Sequence, residues 1–212
     1  MPRFRRSRWQ ERVRLWLFSA GLLIAASPMA PAATPAPGPR AVVQHLYGAL
    51  LDTMKQAAAL GVKGRYRKLE PLIFGTFDLP FMARLTIGPL WASLPPEQKY
   101  RVTQAYGRYI TAVYADRFDG YSGERLEVLG EQKIPHGMLV RSQIVKSDGE
   151  PVTLNYVTHD NVIGWQIRDV YETGAISELA TQRSEFARIL RTGGIEGLIA
   201  ALNKKADGLL NS

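Results

Sequence analysis

The sequence contains no cysteine, which excludes disulfides, thiolate nucleophiles, zinc fingers and iron–sulfur sites. Only three histidines occur, His45, His136 and His159, so a histidine-rich metal centre has few ligands to draw on. The G-x-S-x-G, H-E-x-x-H and Walker-type motifs of hydrolases and nucleotide-binding proteins are also absent. The sequence therefore predicts no metal site and no cofactor, and it contains none of these nucleophile or nucleotide-binding motifs.

An excess of positive charge is confined to the N-terminus. Residues 1–32 hold six arginines and one glutamate, so they account for +5 of the net charge of +8 and leave +3 for the rest. A nucleic-acid-binding domain needs a clustered basic stripe, and a net charge of +3 on a domain of this size does not supply one. We predict no nucleic-acid partner.

Long hydrophobic runs are few, and the longest lies near the start. Leu15–Ala26 is apolar but shorter than the roughly 20 residues that a membrane-spanning helix needs. Arginines precede this run and small residues follow it, with Ala30–Ala32 fitting an A-x-A cleavage site. We therefore predict a signal peptide over residues 1–32 and a periplasmic location, with an uncleaved anchor as the alternative. Residues 33–39 form a Pro/Ala-rich spacer, and residues 40–212 form one domain.

Apolar residues at helical spacing predict helices at both ends of this domain. The first runs over residues 40–60 and ends at Gly61, and Asp78 caps a later helix that begins with the next residues. Helical spacing returns after Ser177 and is interrupted at Gly193–Gly194.

Between these helices the apolar residues alternate with polar ones, which is typical of half-buried strands. Turn signals at Ser147–Gly149 and His159–Asn161 separate successive strands, and Gln166 and Arg168 are predicted to point away from the apolar face. Short connections favour an antiparallel four-stranded meander. Helices before and after a single sheet predict an α+β fold with helices on one sheet face.

Two acids, Asp78 and Asp169, lie among apolar residues and are the only candidates we consider for a general base. A carboxylate beside a cation has a lowered pKa, which does not suit that role. We favour a helix cap for Asp78 and a structural pairing of Asp169 with Arg84 or Arg168. The aromatic residues are predicted to form core, with the lining of an apolar ligand cavity as the alternative.

Three stretches of the domain carry a pattern that is weak in each and specific in combination. Phe77–Trp91 reads F-D-hydrophobic-x-x-M-x-R and then hydrophobic-G-x-x-W. Leu94–Gln98 starts a helix that leads to Tyr109 and Tyr114, and Trp165–Ile199 contains W-x-hydrophobic-x-D-hydrophobic and R-x-x-G-hydrophobic-x-G-L-hydrophobic. In this order the motifs resemble the periplasmic phospholipid carriers of the Mla system (MlaC), also called the toluene-tolerance auxiliary family, over nearly the whole mature chain.

One position departs from the family pattern. Family members place Ser directly after G-hydrophobic, whereas Ala175 and Ile176 here separate Gly174 from Ser177. The run Ile176–Thr181 is similar to the hopanoid-associated branch of the family, often called HpnM. The resemblance therefore implies a lipid ligand that is either a hopanoid or a phospholipid.

The resemblance also implies a strongly curved antiparallel sheet covered by helices, of the NTF2-like kind, which encloses an apolar cavity. Such a protein carries lipid between the inner and outer membranes and catalyses nothing. Its implied partners are an inner-membrane ABC lipid transporter, an outer-membrane complex and, transiently, the membrane itself. We predict that these residues line the cavity: Phe81, Leu85, Val113, Val140, Leu154, Trp165, Ile167, Leu179 and Phe186.

Two alternatives stay open at this point. An NTF2-like isomerase acting on a hydrophobic polycyclic substrate would use Asp78 or Asp169 as base and a tyrosine such as Tyr109 as donor. A pure interaction protein would instead use its apolar faces for dimerisation or docking.

Overall fold

The computed structural model describes residues 38–173 and 175–211, and the predicted signal peptide and residues 33–37 of the predicted spacer lie outside this part. Four helices precede a run of five strands, and one long helix follows. The helices are α1 (Pro39–Lys55), α2 (Ala57–Thr76), α3 (Leu79–Ile87), α4 (Pro96–Arg117) and α5 (Glu178–Leu210), with a 3-10 helix at Gly88–Ser93. The strands are β1 (Arg125–Ile134), β2 (Gly137–Val145), β3 (Pro151–Asn161), β4 (Gly164–Glu172) and β5 (Ile176–Ser177).

The predicted helix over residues 40–60 is wrong in its end point. The break falls at Gln56, whose φ of −108° and ψ of 8° are not helical, and Gly61 with φ 59° is a kink inside α2. The buried Arg65 guanidinium donates to the carbonyl oxygens of Ala57 and Ala115. The contact with Ala115 of α4 is tertiary, so local sequence does not encode it, and it stabilises the chain beyond the break.

The other two helix predictions are confirmed. Asp78 caps α3, since its side chain accepts a hydrogen bond from the Phe81 amide at 3.2 Å. Gly194 divides α5 with a φ of 59° and a ψ of −160°, a combination that residues with a Cβ atom hardly ever adopt.

The sheet is an open antiparallel meander in the order β1-β2-β3-β4-β5, so it has five strands instead of the predicted four. The fifth strand pairs Ser177 with Tyr171, and its two residues are too few to show alternation in a sequence. The turn between β3 and β4 lies at Val162–Ile163 and not at His159–Asn161. Asn161 directs this turn, because its side-chain oxygen accepts a hydrogen bond from the Ile163 amide at 3.0 Å.

Two register shifts bend the sheet. One leaves Leu129 without a partner between Val128 and Gly130 of β1, and the other leaves Arg168 without a partner in β4. A bulge of this kind bends its strand and redirects the side chain of the extra residue. The second bulge therefore decides where Arg168 points.

The core lies between the helices and one face of the sheet. Both layers contribute fully buried side chains, including Leu46, Tyr106 and Phe186 from helices and Val140, Tyr156 and Ile167 from strands. None of the helices in the described part of the chain has the length and hydropathy needed to cross a membrane. The α+β prediction is confirmed.

Candidate functional site

The structure brings together five of the nine predicted lining residues. The core cluster contains Val140, Ile167, Leu179 and Phe186, each 5% exposed or less, and the half-buried Leu154 packs against them. Strands β2, β3 and β4 supply three of the five, and α5 supplies the other two. These side chains pack in one core between the layers, so the enclosed cavity stays a prediction.

The other four predicted lining residues lie outside this cluster. Phe81 and Val113 are half-buried, and Leu85 is 37% exposed on α3. Trp165 is half-buried and lines a cleft between β4 and the first two helices. Their apolar character alone did not distinguish an inward position from one at the rim or on the surface.

Two open clefts flank the turn Val162–Ile163. The first has a volume of about 430 Å³ and is lined mainly by apolar atoms, with Phe74, Phe77, Pro80, Ile163, Gln166 and Arg168 among its residues. The second, of about 550 Å³, lies beside α1 and α2 and includes Val42, His45, Leu72, Ile163 and Trp165. The turn itself is apolar and exposed, since Ile163 is 74% accessible and Val162 is fully so.

Polar residues whose role the sequence did not indicate join β4 to the end of α2. The Gln166 amide nitrogen donates to the carbonyl oxygens of Gly75 and Phe77, and the side chain is buried instead of pointing away. The Asp78 amide donates to the Ile167 carbonyl oxygen at 2.8 Å. Both faces of β4 are therefore covered at this point, which alternation along one strand does not reveal.

A largely buried ion pair lies at the edge of the first cleft. Arg168 Nε donates to Asp78 Oδ2 at 2.8 Å, and the two side chains are 19% and 13% exposed. The Arg168 guanidinium also lies over the Phe81 ring, 4.1 Å from its centroid. The Arg84 guanidinium is 5.3 Å from the same centroid, so the Phe81 ring contacts two cations.

Neutral hydroxyl groups occur inside the core. The Tyr47 hydroxyl lies 2.6 Å from Ser142 Oγ, which donates to the Leu154 carbonyl oxygen, and the Tyr106 hydroxyl donates to the Gln182 side chain at 2.6 Å. Burial raises the pKa of Tyr47 and raises that of Tyr106 well above its ordinary value. These hydroxyls therefore stay uncharged at physiological pH and form internal hydrogen bonds.

Asp169 has a structural role at the junction of β4 and α5. Its carboxylate accepts hydrogen bonds from the Ser177 hydroxyl at 2.6 Å and from the Val170 and Leu179 amides at 2.8 Å and 3.2 Å. Burial raises the pKa of Asp169, and its hydrogen bonds oppose that shift. The predicted pairing with Arg84 or Arg168 is wrong, because the bulge in β4 turns Arg168 toward Asp78.

The arrangement required by the isomerase alternative is not formed by these residues. The Asp78 carboxylate is engaged by Arg168 and by the start of α3, and that of Asp169 is engaged by Ser177 and two amides. The Tyr109 ring lies beside the Lys205 ammonium, 5.5 Å from its centroid. Among the described residues, no group of three histidine, aspartate or glutamate side chains is arranged to hold a metal ion.

Comparison with solved structures identifies the fold. The phospholipid-binding protein from Ralstonia solanacearum, solved in complex with a phospholipid, is similar to this chain with a TM-score of 0.71 and 21% sequence identity. The match covers 81% of this chain and 98% of the other. At this level of identity the likeness shows a shared fold.

Comparison with protein families identifies the sequence. The family model described as MlaC protein matches residues 44–204, which extend from α1 into the last turns of α5. This range includes the motifs around Asp78 and Asp169, whose side chains join the helices to β4. The chain therefore belongs to the MlaC protein family.

Proposed function

We propose that this protein binds a lipid between its sheet and its helices and transfers it across the periplasm. The observation that carries the proposal is the apolar cluster built from both layers, with Val140, Leu154 and Ile167 on the sheet and Leu179 and Phe186 on α5. Hydrocarbon chains gain about 0.8 kcal/mol for each CH₂ removed from water, so a 16-carbon chain gains about 12 kcal/mol. An interlayer site gives most of that gain, whereas a shallow groove does not.

Lipid entry requires the layers to separate, because the cluster is closed in this structure. The clefts on either side of Val162–Ile163 are the natural entrance, since they lie beside the contact between β4 and α2 and are lined mainly by apolar atoms. A bilayer offers the same hydrocarbon chain a similar gain, so loading and release are nearly balanced. Partner proteins then decide the direction of transfer.

Membership of the MlaC family supports transport between the inner and outer membranes together with an ABC-type lipid transporter. The phospholipid bound to the Ralstonia protein supports a phospholipid as cargo, and the one extra residue between Gly174 and Ser177 supports a hopanoid. The signal-like residues 1–32 support a periplasmic location. We propose a carrier and not an enzyme, since Asp78 and Asp169 are both engaged in structural hydrogen bonds.

Native extraction tests the proposal. The full chain is expressed and exported, purified without detergent and analysed by mass spectrometry for bound lipid. We expect a hopanoid or a phospholipid in stoichiometric amounts, and the same experiment identifies the cargo. Absence of bound lipid, together with no uptake from labelled vesicles, would overturn the proposal.

A further inference from the structure

The 3-10 helix between α3 and α4 exposes apolar residues that a fold usually covers. Its sequence is Gly-Pro-Leu-Trp-Ala-Ser, and none of its six residues is fully buried. Trp91 is half-buried, with part of its side chain packed against the core cluster. Leu90 is 38% exposed, and Leu85 on the preceding helix is 37% exposed. Clustered apolar side chains on a surface mark a contact with something outside the domain.

Cations surround these apolar side chains. The Lys99 ammonium lies over the Trp91 ring, 5.9 Å from its centroid, and Arg84 is exposed one residue before Leu85. Arg183 of α5 reaches the start of the 3-10 helix, where a Cβ atom on Gly88 would lie 3.3 Å from its Nη2. We call this surface the Leu90 face and define it by Arg84, Leu85, Leu90, Trp91, Lys99 and Arg183.

Within the described part of the chain, no salt bridge neutralises the cations of the Leu90 face. Residues 79–96 contain no aspartate or glutamate, and the next acid along the chain is Glu97. Within the described residues, the salt bridges involve other cations, and none joins a carboxylate to Arg84, Lys99 or Arg183. Three cations around a small apolar patch are complementary to an anionic surface.

We propose that the Leu90 face docks on an anionic lipid surface. Leu85, Leu90 and Trp91 are too few to bury the roughly 1,200 Å² of a stable protein interface, whereas shallow insertion of such side chains assisted by cations gives reversible membrane binding. Tryptophan is favoured at the bilayer interface, and each lysine or arginine near an anionic leaflet adds to the attraction.

The Leu90 face is joined to the first cleft through Phe81. The Arg84 guanidinium lies on this ring, and the Arg168 guanidinium that lies on the same ring also lines the cleft. Docking through Arg84 and its neighbours therefore brings the cleft close to the bilayer. This inference concerns the docking surface and does not depend on which lipid the protein carries.

Vesicle sedimentation tests the docking. We expect the full-length chain to sediment with phosphatidylglycerol vesicles, to bind phosphatidylcholine vesicles weakly, and to be released by salt. Arg84→Gln and Arg183→Gln should each lower binding to phosphatidylglycerol about fivefold. The matched control Arg67→Gln, which replaces an exposed arginine on α2, should leave binding to phosphatidylglycerol unchanged. Residues 1–37 are the same in all variants, so they do not affect the comparison.

Insertion of the apolar residues is tested separately. Brominated lipids should quench the fluorescence of Trp91, which is isolated as the difference between wild type and Trp91→Phe. Leu90→Ser should lower binding, whereas Leu129→Ser, at a more exposed site on β1, should not. Equal binding to both vesicle types, or unchanged binding in Leu90→Ser and Arg84→Gln, would overturn the proposal.

A protein partner on this face would give a different result. In that case the lipid-loaded wild type would not bind to vesicles, and Leu90→Ser would reduce only the delivery of lipid to a protein acceptor. This outcome would also overturn the proposal of membrane docking. Bound lipid measured by mass spectrometry should be the same in every variant of the Leu90 face, so a failure of docking is distinguishable from a failure of lipid binding.

Discussion

The Ser177 hydroxyl donates a 2.6 Å hydrogen bond to Asp169 Oδ2 and also accepts one from the Ala180 amide at 3.0 Å. One side chain therefore caps α5 and fastens it to β4. The other oxygen of Asp169 accepts from the Leu179 amide, so the two residues together hold the first turn of the helix against the sheet. Because α5 carries Leu179 and Phe186, this junction fixes one wall of the proposed lipid site.

Removing either partner should destabilise the fold. Ser177→Ala removes the cap and the hydrogen bond to Asp169, and we expect a loss of about 1–2 kcal/mol in the free energy of unfolding. Asp169→Ala leaves Ser177 and the Leu179 amide without their acceptor and should cost about 2–3 kcal/mol. Urea unfolding measures both. Ser184→Ala, an exposed serine of the same helix, is the control, and an equal effect there would contradict the assignment.

The same junction should make stability depend on pH. Burial raises the pKa of Asp169, and burial together with the neighbouring Glu172 carboxylate raises that of Glu178. A raised pKa means that the folded protein holds the proton more tightly than the unfolded chain, so stability falls as pH rises from about 4 through the folded pKa.

The variant Glu178→Gln isolates the contribution of Glu178 to this pH dependence, since all other groups titrate in both the wild type and the variant. The free energy of unfolding of wild type should decline relative to Glu178→Gln as pH rises through that window, and the difference should become constant above it. Denaturant titrations at a series of pH values measure the difference. A difference that grows in favour of wild type with rising pH would refute the assignment.

Arg168 should be worth more than an exposed ion pair. Arg168→Met keeps an apolar stem but removes the guanidinium that lies over Phe81 and pairs with the largely buried Asp78 carboxylate, and we expect a loss of about 2–3 kcal/mol in the free energy of unfolding. Asp78→Asn, which still caps α3, should recover part of that loss in the double variant. Lys146→Met removes an exposed pair and serves as the control. If Arg168→Met and Lys146→Met lowered the free energy of unfolding equally, burial of the Arg168–Asp78 pair would not add to its contribution.

Local sequence signals predicted the features that one residue type enforces. Asp78 as a cap and Gly194 as a break were both predictable, because each depends on the chemistry of a single position. The break at Gln56 was not, because Arg65 makes a contact with Ala115, which lies in a helix 50 residues away in the chain. Features that depend on tertiary contacts were therefore not predictable from local sequence.

The candidate site was predictable only in part for the same reason. Alternation identified Val140 and Ile167 as inward residues but also assigned Gln166 an outward position, although the end of α2 covers it. Apolar character placed Leu85 in the lining, whereas the structure leaves it on the surface. Arg168 pairs with Asp78 because of the bulge in β4, and the pattern of residues within a strand does not show where such a bulge lies.

Filling the proposed lipid site should abolish lipid binding. Leu154 packs half-buried against the core cluster, so Leu154→Trp should reduce bound lipid severalfold, and Val140→Trp, at a fully buried position, should do so at a larger cost in stability. Thr153→Trp adds the same side chain at the exposed neighbouring position and should leave lipid content unchanged. Mass spectrometry after native purification measures the lipid, and thermal unfolding confirms the fold. Undiminished lipid in a folded Leu154→Trp protein would place the cargo elsewhere.

The two adjacent glycines of α5 should respond to alanine with opposite signs. Gly194 has a φ of 59° and a ψ of −160°, which a residue with a Cβ atom reaches only at a cost, so Gly194→Ala should destabilise by about 1–3 kcal/mol. Gly193 does not have a positive φ, lies inside α5 and has open space where a Cβ would be placed. Gly193→Ala should therefore stabilise by about 0.5–1 kcal/mol. Because the volume added is identical, only the backbone conformation distinguishes the variants. Urea unfolding of both measures the difference. Unchanged stability in Gly194→Ala would contradict the kink at Gly194, and destabilisation by Gly193→Ala would contradict a helical conformation at Gly193.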